Sequence, residues 1–144
     1  MTQLPIHYVD LRCFCYATED PERVQMAMKT LLPEETEISK DTTRGHHGDR
    51  IIVFSVRVEN AAEIRHVFAR LGDASGIESI VTELNERVTE DTELFFRLDK
   101  QAAFNETVKL GDGITVRAKI EAYPAKRPKA IKNARTALTE AAEL

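Results

Sequence analysis

The chain has 144 residues, of which 42% are hydrophobic and 31% charged, and its net charge is −4 at pH 7. This composition is typical of one globular domain and argues against disorder, so we expect residues 1–144 to form a single domain. No apolar run approaches the roughly 18 residues of a membrane span, and the N-terminus lacks the features of a signal peptide. With two cysteines, we expect a reduced, cytoplasmic protein without membrane contact.

Periodic patterns predict the elements of the first half of the chain. A strand over 8–16 alternates, with Val9, Leu11, Cys13 and Cys15 on its apolar face. A helix begins at Asp20-Pro21, because aspartate caps a helix and proline suits its first turn, and Pro33 ends it. The elements predicted next are a short strand near 36–40, a polar loop over 42–49, a strand over 50–59 and a helix over 60–72 that starts with a capping box.

The second half is predicted to begin with a helix over 76–88, where apolar residues recur at helical spacing. The remaining elements are a strand over 93–98, a short helix over 99–104, a turn over 111–113, a strand over 114–123 and a helix over 128–142. Asp99 with Lys100 is either a catalytic pair or a cap of the short helix, and the cap is preferred. Long strands with one apolar face favour an antiparallel or mixed sheet. We therefore predict an α+β fold: a single domain with a mostly antiparallel or mixed β-sheet, helices packed on one face, and the other face partly open.

Strand periodicity places aromatic rings beside cations on the open face. The residues assigned to this face are Tyr8, Asp10, Arg12, Phe14, Tyr16, Ser55, Arg57, Phe95, Arg97, Thr115, Arg117, Lys119 and Tyr123. Such interleaving is typical of a platform for single-stranded RNA, since rings stack bases and guanidinium groups meet phosphates. Cation–π ladders that bind no ligand produce the same pattern, and a helix or partner chain that covers the face is a third interpretation.

A basic run lies near the C-terminal end, with five cations and no acid between Pro124 and Arg135. These cations are Lys126, Arg127, Lys129, Lys132 and Arg135. Three of them lie at or just before a helix start, where the helix dipole disfavours cations. Phosphates that bridge the cations and the free N–H groups would explain this placement, and a solvated helix face is the alternative.

The segment over 44–50 reads Arg-Gly-His-His-Gly-Asp-Arg and has three interpretations. Its glycines permit close approach of a ligand to the backbone, and its two arginines suit phosphate. Adjacent histidines with Asp49 are potential metal ligands, although no further ligand pattern accompanies them. A solvated turn is the third interpretation. The solvated turn and RNA contact are both preferred over a metal site.

The remaining candidate chemistry is sparse. Cys13 and Cys15 are expected to be buried thiols, because a zinc site needs a second Cys or His pair at defined spacing. The chain has no nucleophile elbow, Walker-type phosphate loop, HExxH motif or dinucleotide fingerprint. The sequence therefore predicts no enzyme, no cofactor and no metal.

Several motifs together resemble an archaeal family described as RNA-binding and as an exosome-associated subunit. They include Tyr8-Val9-Asp10-Leu11-Arg12, Gly45-His46-His47-Gly48, Leu98-Asp99-Lys100-Gln101 and Ala122-Tyr123-Pro124-Ala125-Lys126-Arg127. The match covers about residues 7–135. The resemblance implies an α+β fold likened to double-stranded-RNA-binding domains and to the ribosomal protein that holds 5S RNA, and it implies no enzymatic activity.

We therefore expect a non-catalytic RNA-binding protein, an accessory factor in RNA processing or decay, with exosome or ribosome-related proteins as further partners. The alternative is an interaction adaptor or homodimer that uses the aromatic sheet face. The predicted RNA-binding residues are Arg44, His46, His47, Arg50, Lys100, Lys126, Arg127, Lys129 and Lys132. The net acidity predicts low nonspecific affinity for RNA.

Overall fold

The five strands form one antiparallel sheet in the order β2-β3-β1-β5-β4. The computed structural model describes residues 4–72 and 77–141. Its elements are β1 Ile6–Cys15, α1 Pro21–Lys29, β2 Ser39–Arg44, β3 Arg50–Val58, α2 Ala61–Gly72, α3 Ile77–Thr82, α4 Leu84–Arg87, β4 Glu93–Leu98, α5 Lys100–Phe104, β5 Ile114–Ile120 and α6 Arg127–Ala141. The predicted α+β fold is confirmed.

Strand β1 lies at the centre of the sheet and supplies the middle of the core. Its residues Val9, Leu11, Cys13 and Cys15 are buried, as their alternation predicted. Cys13 lies opposite Phe54 on β3 and Ile114 on β5, so one apolar face crosses three strands. Burial raises the pKa of the Cys13 thiol to about 11. Both cysteines are free, so the prediction of buried thiols is confirmed.

Three helices begin with the caps that the sequence indicated. The Asp20 carboxylate accepts from the Glu22 N–H at 3.0 Å, and Pro21 occupies the first turn of α1. The Asn60 side chain accepts from Ala62 N–H at 2.8 Å at the start of α2. The Asp99 carboxylate accepts from the Ala102 N–H at 2.7 Å and caps α5. Each cap satisfies an N–H group that the first helical turn leaves free.

Two predicted elements are wrong in part. The short strand expected near 36–40 is β2 at Ser39–Arg44, which pairs with β3 along its whole length. The loop expected over 42–49 is therefore shorter. Every residue of β2 is exposed, so this edge strand has no apolar alternation to reveal it. The helix expected over 76–88 is two short helices, α3 and α4. Its predicted first residue, Gly76, and the predicted last residue of α6, Ala142, lie outside the described residues.

The element boundaries otherwise shift by a few residues. α1 ends at Lys29, and the chain reaches Pro33 through backbone bonds from Leu31 N–H to Met28 O and from Leu32 N–H to Lys29 O. β5 ends at Ile120 instead of residue 123, so Tyr123 lies beyond the sheet. Among the residues that the structure describes, no helix is long and apolar enough to cross a membrane.

Candidate nucleic-acid interface

The sheet face opposite the helices carries a groove of about 990 Å³, here called the sheet groove. Ten strand residues form most of its lining: Asp10, Arg12, Phe14, Ser39, Ser55, Arg57, Phe95, Arg97, Thr115 and Arg117. Glu86 and Arg87 of α4 also line it, together with Leu11, Val56, Phe96, Leu110 and Gly111. The first ten are polar or aromatic, whereas the other face of the same strands is buried and apolar. The groove thus gathers most of the residues that strand periodicity placed on the open face. Its lining does not include Tyr8, Tyr16, Lys119 or Tyr123.

Arg12 occupies the middle of the groove. The strand register places Ser55 beside it on β3 and Thr115 beside it on β5. Ser39 on β2 and Arg97 on β4 complete the row across five strands. Among the described residues, the Arg12 side chain has no hydrogen-bond or ion-pair partner, and its guanidinium carbon lies 5.1 Å from the centre of the Phe14 ring. All five N–H donors of Arg12 are therefore available to a ligand.

The Arg57 guanidinium, in contrast, is held by a carboxylate of this chain. Asp10 accepts from it twice, at 2.8 and 2.9 Å, and these hydrogen bonds raise the pKa of Arg57. The same guanidinium lies 3.9 Å from the centre of the Tyr8 ring, which it covers. Burial and the nearby Glu93 carboxylate raise the pKa of Tyr8, so its hydroxyl stays protonated.

The other three arginines of the groove also have acidic partners. Arg87 lies 2.6 Å from the Glu83 carboxylate. Arg117 lies 3.8 Å from the Glu93 carboxylate and 4.5 Å from the centre of the Phe95 ring. Arg97 lies 2.7 Å from the Asp112 carboxylate. Among the five arginines that line the groove, Arg12 therefore stands apart as the cation without a carboxylate partner in the described part of the chain.

A second cationic surface lies on α6 and the residue before it, here called the α6 basic surface. It consists of Lys126, Lys129, Lys132 and Arg135. No carboxylate of residues 4–72 or 77–141 pairs with any of these four side chains. Arg127 belongs to the same run but donates from Nε to the carbonyl of Val88 at 2.8 Å. That bond fixes the start of α6 against the segment that precedes β4.

The β2–β3 hairpin carries four of the predicted site residues. Gly48 has a φ of +80°, a conformation that glycine adopts easily. Arg44 donates from Nη1 to the Gly48 carbonyl at 3.0 Å and so braces the turn. His46 and His47 are exposed, and their ring centres lie 5.1 Å apart. In the described part of the chain, no three His, Cys, Asp or Glu side chains are grouped to hold a metal ion.

Lys100 is occupied by partners within the protein. Its Nζ lies 2.8 Å from the Glu19 carboxylate and donates to the Phe14 carbonyl at 3.0 Å. Burial raises the pKa of Glu19, but hydrogen bonds from Lys100 and from the Tyr16 N–H outweigh burial and leave that pKa below its usual range. Gly113 packs closely here, because a Cβ on it would lie 2.5 Å from the Lys100 Cβ. Lys100 thus joins β1 to α5.

The predicted site residues lie at two ends of the sheet. The hairpin and Lys100 are near the end of β1, since Cys15 pairs with Ile52 and Phe14 O accepts from Lys100. The start of α6 lies near the other end, since Ile120 pairs with Ile6. The 10 residues of β1 separate the two ends by about 30 Å. The predicted residues therefore do not form one local site.

The predicted site lacked Arg12 and Phe14, which the structure places in the groove. Their alternation in β1 already indicated the open face, so that signal was present in the sequence. The pairing of each groove arginine with a particular carboxylate depends on strand register. No short sequence pattern shows that Arg57 finds Asp10 while Arg12 has Ser55 and Thr115 as neighbours.

The fold and its two cationic surfaces define a class: α+β proteins that cover one face of an antiparallel sheet with helices and expose a polar, aromatic face. A family model described as RNA binding matches residues 8–120. The chain belongs to this RNA-binding family. It is 33% identical to an RNA-binding protein of Pyrococcus abyssi over 92% of this chain and 94% of that protein.

Solved structures support the same grouping. A protein of Archaeoglobus fulgidus superimposes with a TM-score of 0.82 at 33% identity, over 92% of this chain and 99% of that one. A protein of Methanothermobacter thermautotrophicus superimposes with a TM-score of 0.80 at 32% identity, over 92% and 98%. These organisms and Pyrococcus abyssi are archaea, in agreement with the archaeal family that the motifs resembled.

Replacing Lys100 with Met should lower the free energy of unfolding by about 1 kcal/mol at neutral pH, because a partly buried charged hydrogen bond is lost. The folded-state pKa of Glu19 is lowered, so the stabilisation is present above the ordinary value of 4.5 and is lost as the pH falls through the lowered pKa. The gap between parent and variant should therefore narrow in acid. Urea unfolding across this pH range measures it, with the exposed Lys109→Met as control. A difference in unfolding free energy that stays constant with pH would contradict a stabilising Lys100–Glu19 ion pair.

Proposed function

We propose that this protein is a non-catalytic RNA-binding protein that contacts phosphates through the α6 basic surface. The observation that carries the proposal is that its four cations have no acidic partner among the described residues, in a chain of net charge −4. A cation without a carboxylate partner can replace a counterion on RNA at full effect, and this release is the main source of affinity for phosphates.

The family and the curated relative support RNA as the partner, since both are described as RNA binding. We propose that the remaining predicted residues contribute to RNA affinity to different extents. Arg44, His46, His47 and Arg50 form a peripheral contact at the hairpin, about 30 Å from the start of α6. Lys100 and Arg127 already bind protein carbonyls, so we propose that they position elements and contribute less to RNA affinity.

The triple variant Lys126→Gln, Lys129→Gln, Lys132→Gln should bind RNA more weakly and with less salt dependence. Each lost phosphate contact should reduce the slope of log affinity against log salt by about 1. Fluorescence anisotropy with labelled RNA, from about 50 to 200 mM KCl, measures both quantities. The control changes Lys29, Lys40 and Lys109, which are exposed elsewhere, to Gln. If both triple variants lose the same RNA affinity, only the total charge of the protein affects binding, and the proposal of a specific α6 contact is wrong.

We further propose that the protein acts as an accessory factor in RNA processing or decay. This role is suggested by the resemblance of its motifs to an exosome-associated family. We expect the protein to bind a reconstituted archaeal exosome and to change the rate at which it trims a labelled RNA. The triple α6 variant should lose the effect on rate. A trimming rate that is the same with and without the protein would contradict the accessory role.

A homodimer through the aromatic sheet face is the competing proposal. It is favoured by two exposed neighbouring rings, Phe14 at 37% and Tyr16 at 50% exposure. Phe95 is a weaker anchor, because Arg117 covers its ring. We expect a monomer in analytical ultracentrifugation at micromolar concentration. A dimer would instead support the interface if Tyr16→Ala dissociates it and Tyr123→Ala, beyond the sheet, leaves it intact.

A further inference from the structure

We infer that the sheet groove takes an unpaired RNA base at Phe14, with Arg12 as its second contact, so that single-stranded RNA is the class of ligand this face selects. The inference deepens the proposed function and rests on it. It concerns a different face of the molecule from the α6 basic surface, and each surface can therefore be altered separately.

The first step concerns which rings of the open sheet face are free to stack. Tyr8 and Phe95 are each covered by an arginine that a carboxylate holds in place, Arg57 through Asp10 and Arg117 through Glu93. A base would have to break an ion pair to reach either ring. Phe14 is covered at 5.1 Å by Arg12, which has no such restraint.

The second step concerns the neighbour of Phe14 along the chain. The Tyr16 ring lies 6.4 Å from the Phe14 ring with an angle of 29° between their planes. The two residues are two apart and point to the same side, as neighbours on one strand face do. Lys100, which Glu19 holds, lies 5.4 Å from the centre of the Tyr16 ring, so Phe14 is the freer of the two rings. Tyr16 is still 50% exposed and extends the aromatic surface for a second unpaired base, because aromatic stacking tolerates any base. A base within a duplex cannot present its face in this way.

The third step concerns charge. The residues beside Arg12 are Ser55 and Thr115, so no carboxylate of the neighbouring strands repels a phosphate there. When a base displaces the guanidinium from the Phe14 ring, that group can stack on the base or bind the adjoining phosphate, since arginine does both. Ring, free guanidinium and hydroxyl side chains together fit a nucleotide with an unpaired base.

The test compares Phe14→Leu with Phe104→Leu. The control ring is also paired with an arginine, since Arg23 lies 5.2 Å from its centre, but it lies outside the groove. One probe is a single-stranded RNA of about 10 nucleotides that contains one 2-aminopurine. The other probe is a duplex RNA of about 16 base pairs. Anisotropy gives the affinity, and the emission of 2-aminopurine reports whether the base is stacked.

Phe14→Leu should weaken single-strand binding about 5- to 100-fold, abolish the change in 2-aminopurine emission and leave duplex binding unchanged. Phe104→Leu should bind both probes as the parent does. Arg12→Lys should weaken single-strand binding without changing the salt slope, because the charge is kept and the planar group is lost. Tyr16→Leu, at an exposed site after β1, should also weaken single-strand binding. This variant serves as the test if circular dichroism shows that Phe14→Leu is misfolded.

The outcomes separate the two proposals. If the parent binds only duplex, or if Phe14→Leu and Tyr16→Leu bind single strands as the parent does, this inference is wrong and the α6 proposal stands. If the parent binds neither probe at low salt, both are wrong. If Phe14→Leu changes the oligomeric state and not RNA affinity, the face is an interface between copies, and this inference is again overturned.

Discussion

The alternation of β1 in the centre of the sheet is the constraint on which the rest of the structure depends. Val9, Leu11 and Cys13 face the helices, and Asp10 and Arg12 between them face the groove. Because β1 is hydrogen-bonded to β3 and β5, its register sets the partners on both sides. A slip by one residue would bury Arg12 and expose Leu11, so burial of the core and composition of the groove are fixed by the same pairing.

The acidic residues of the groove limit how it can attract RNA. Asp10 and Glu93 neutralise Arg57 and Arg117, and ion pairs of such exposed arginines add little to stability. The two carboxylates have a larger effect on the electrostatic potential of the groove, since a paired arginine attracts phosphate less strongly. With a net charge of −4, the protein offers little long-range attraction. Both proposals therefore depend on short-range contacts, at Arg12 in one and at the α6 basic surface in the other.

Much of the fold could be predicted from the sequence, because its signals are local. Period-two alternation predicted β1 and β5, and a content of strand-forming residues predicted β3. Asp20, Asn60 and Asp99 act as the helix caps they indicated. The edge strand β2 was predicted only in part, since the strand expected near 36–40 lies at Ser39–Arg44. All its residues are exposed, so it exists through pairing with β3 and not through an apolar pattern of its own.

The candidate site was less predictable for a related reason. Motif residues such as Lys100 stand out by type, but their availability depends on distant partners. Lys100 binds Glu19, 81 residues away in the chain, and Arg127 binds the Val88 carbonyl, 39 residues away. Arg12 lacks a carboxylate partner for the opposite reason, because two strands place hydroxyl residues beside it. Long-range register thus decides which cations are free.

The separation of the two surfaces bears on what RNA can use both. The α6 basic surface belongs to the helical layer, and the groove lies on the opposite face of the sheet. A nucleic-acid duplex is straight on the scale of this protein, because its persistence length is about 50 nm for DNA. It can contact one face at a time. A single strand can pass around the sheet end where Ile6 and Ile120 pair, and so place phosphates on α6 and bases at Phe14. Simultaneous use of both surfaces therefore requires an unpaired segment, and a junction between a duplex on α6 and a single strand in the groove satisfies the same geometry.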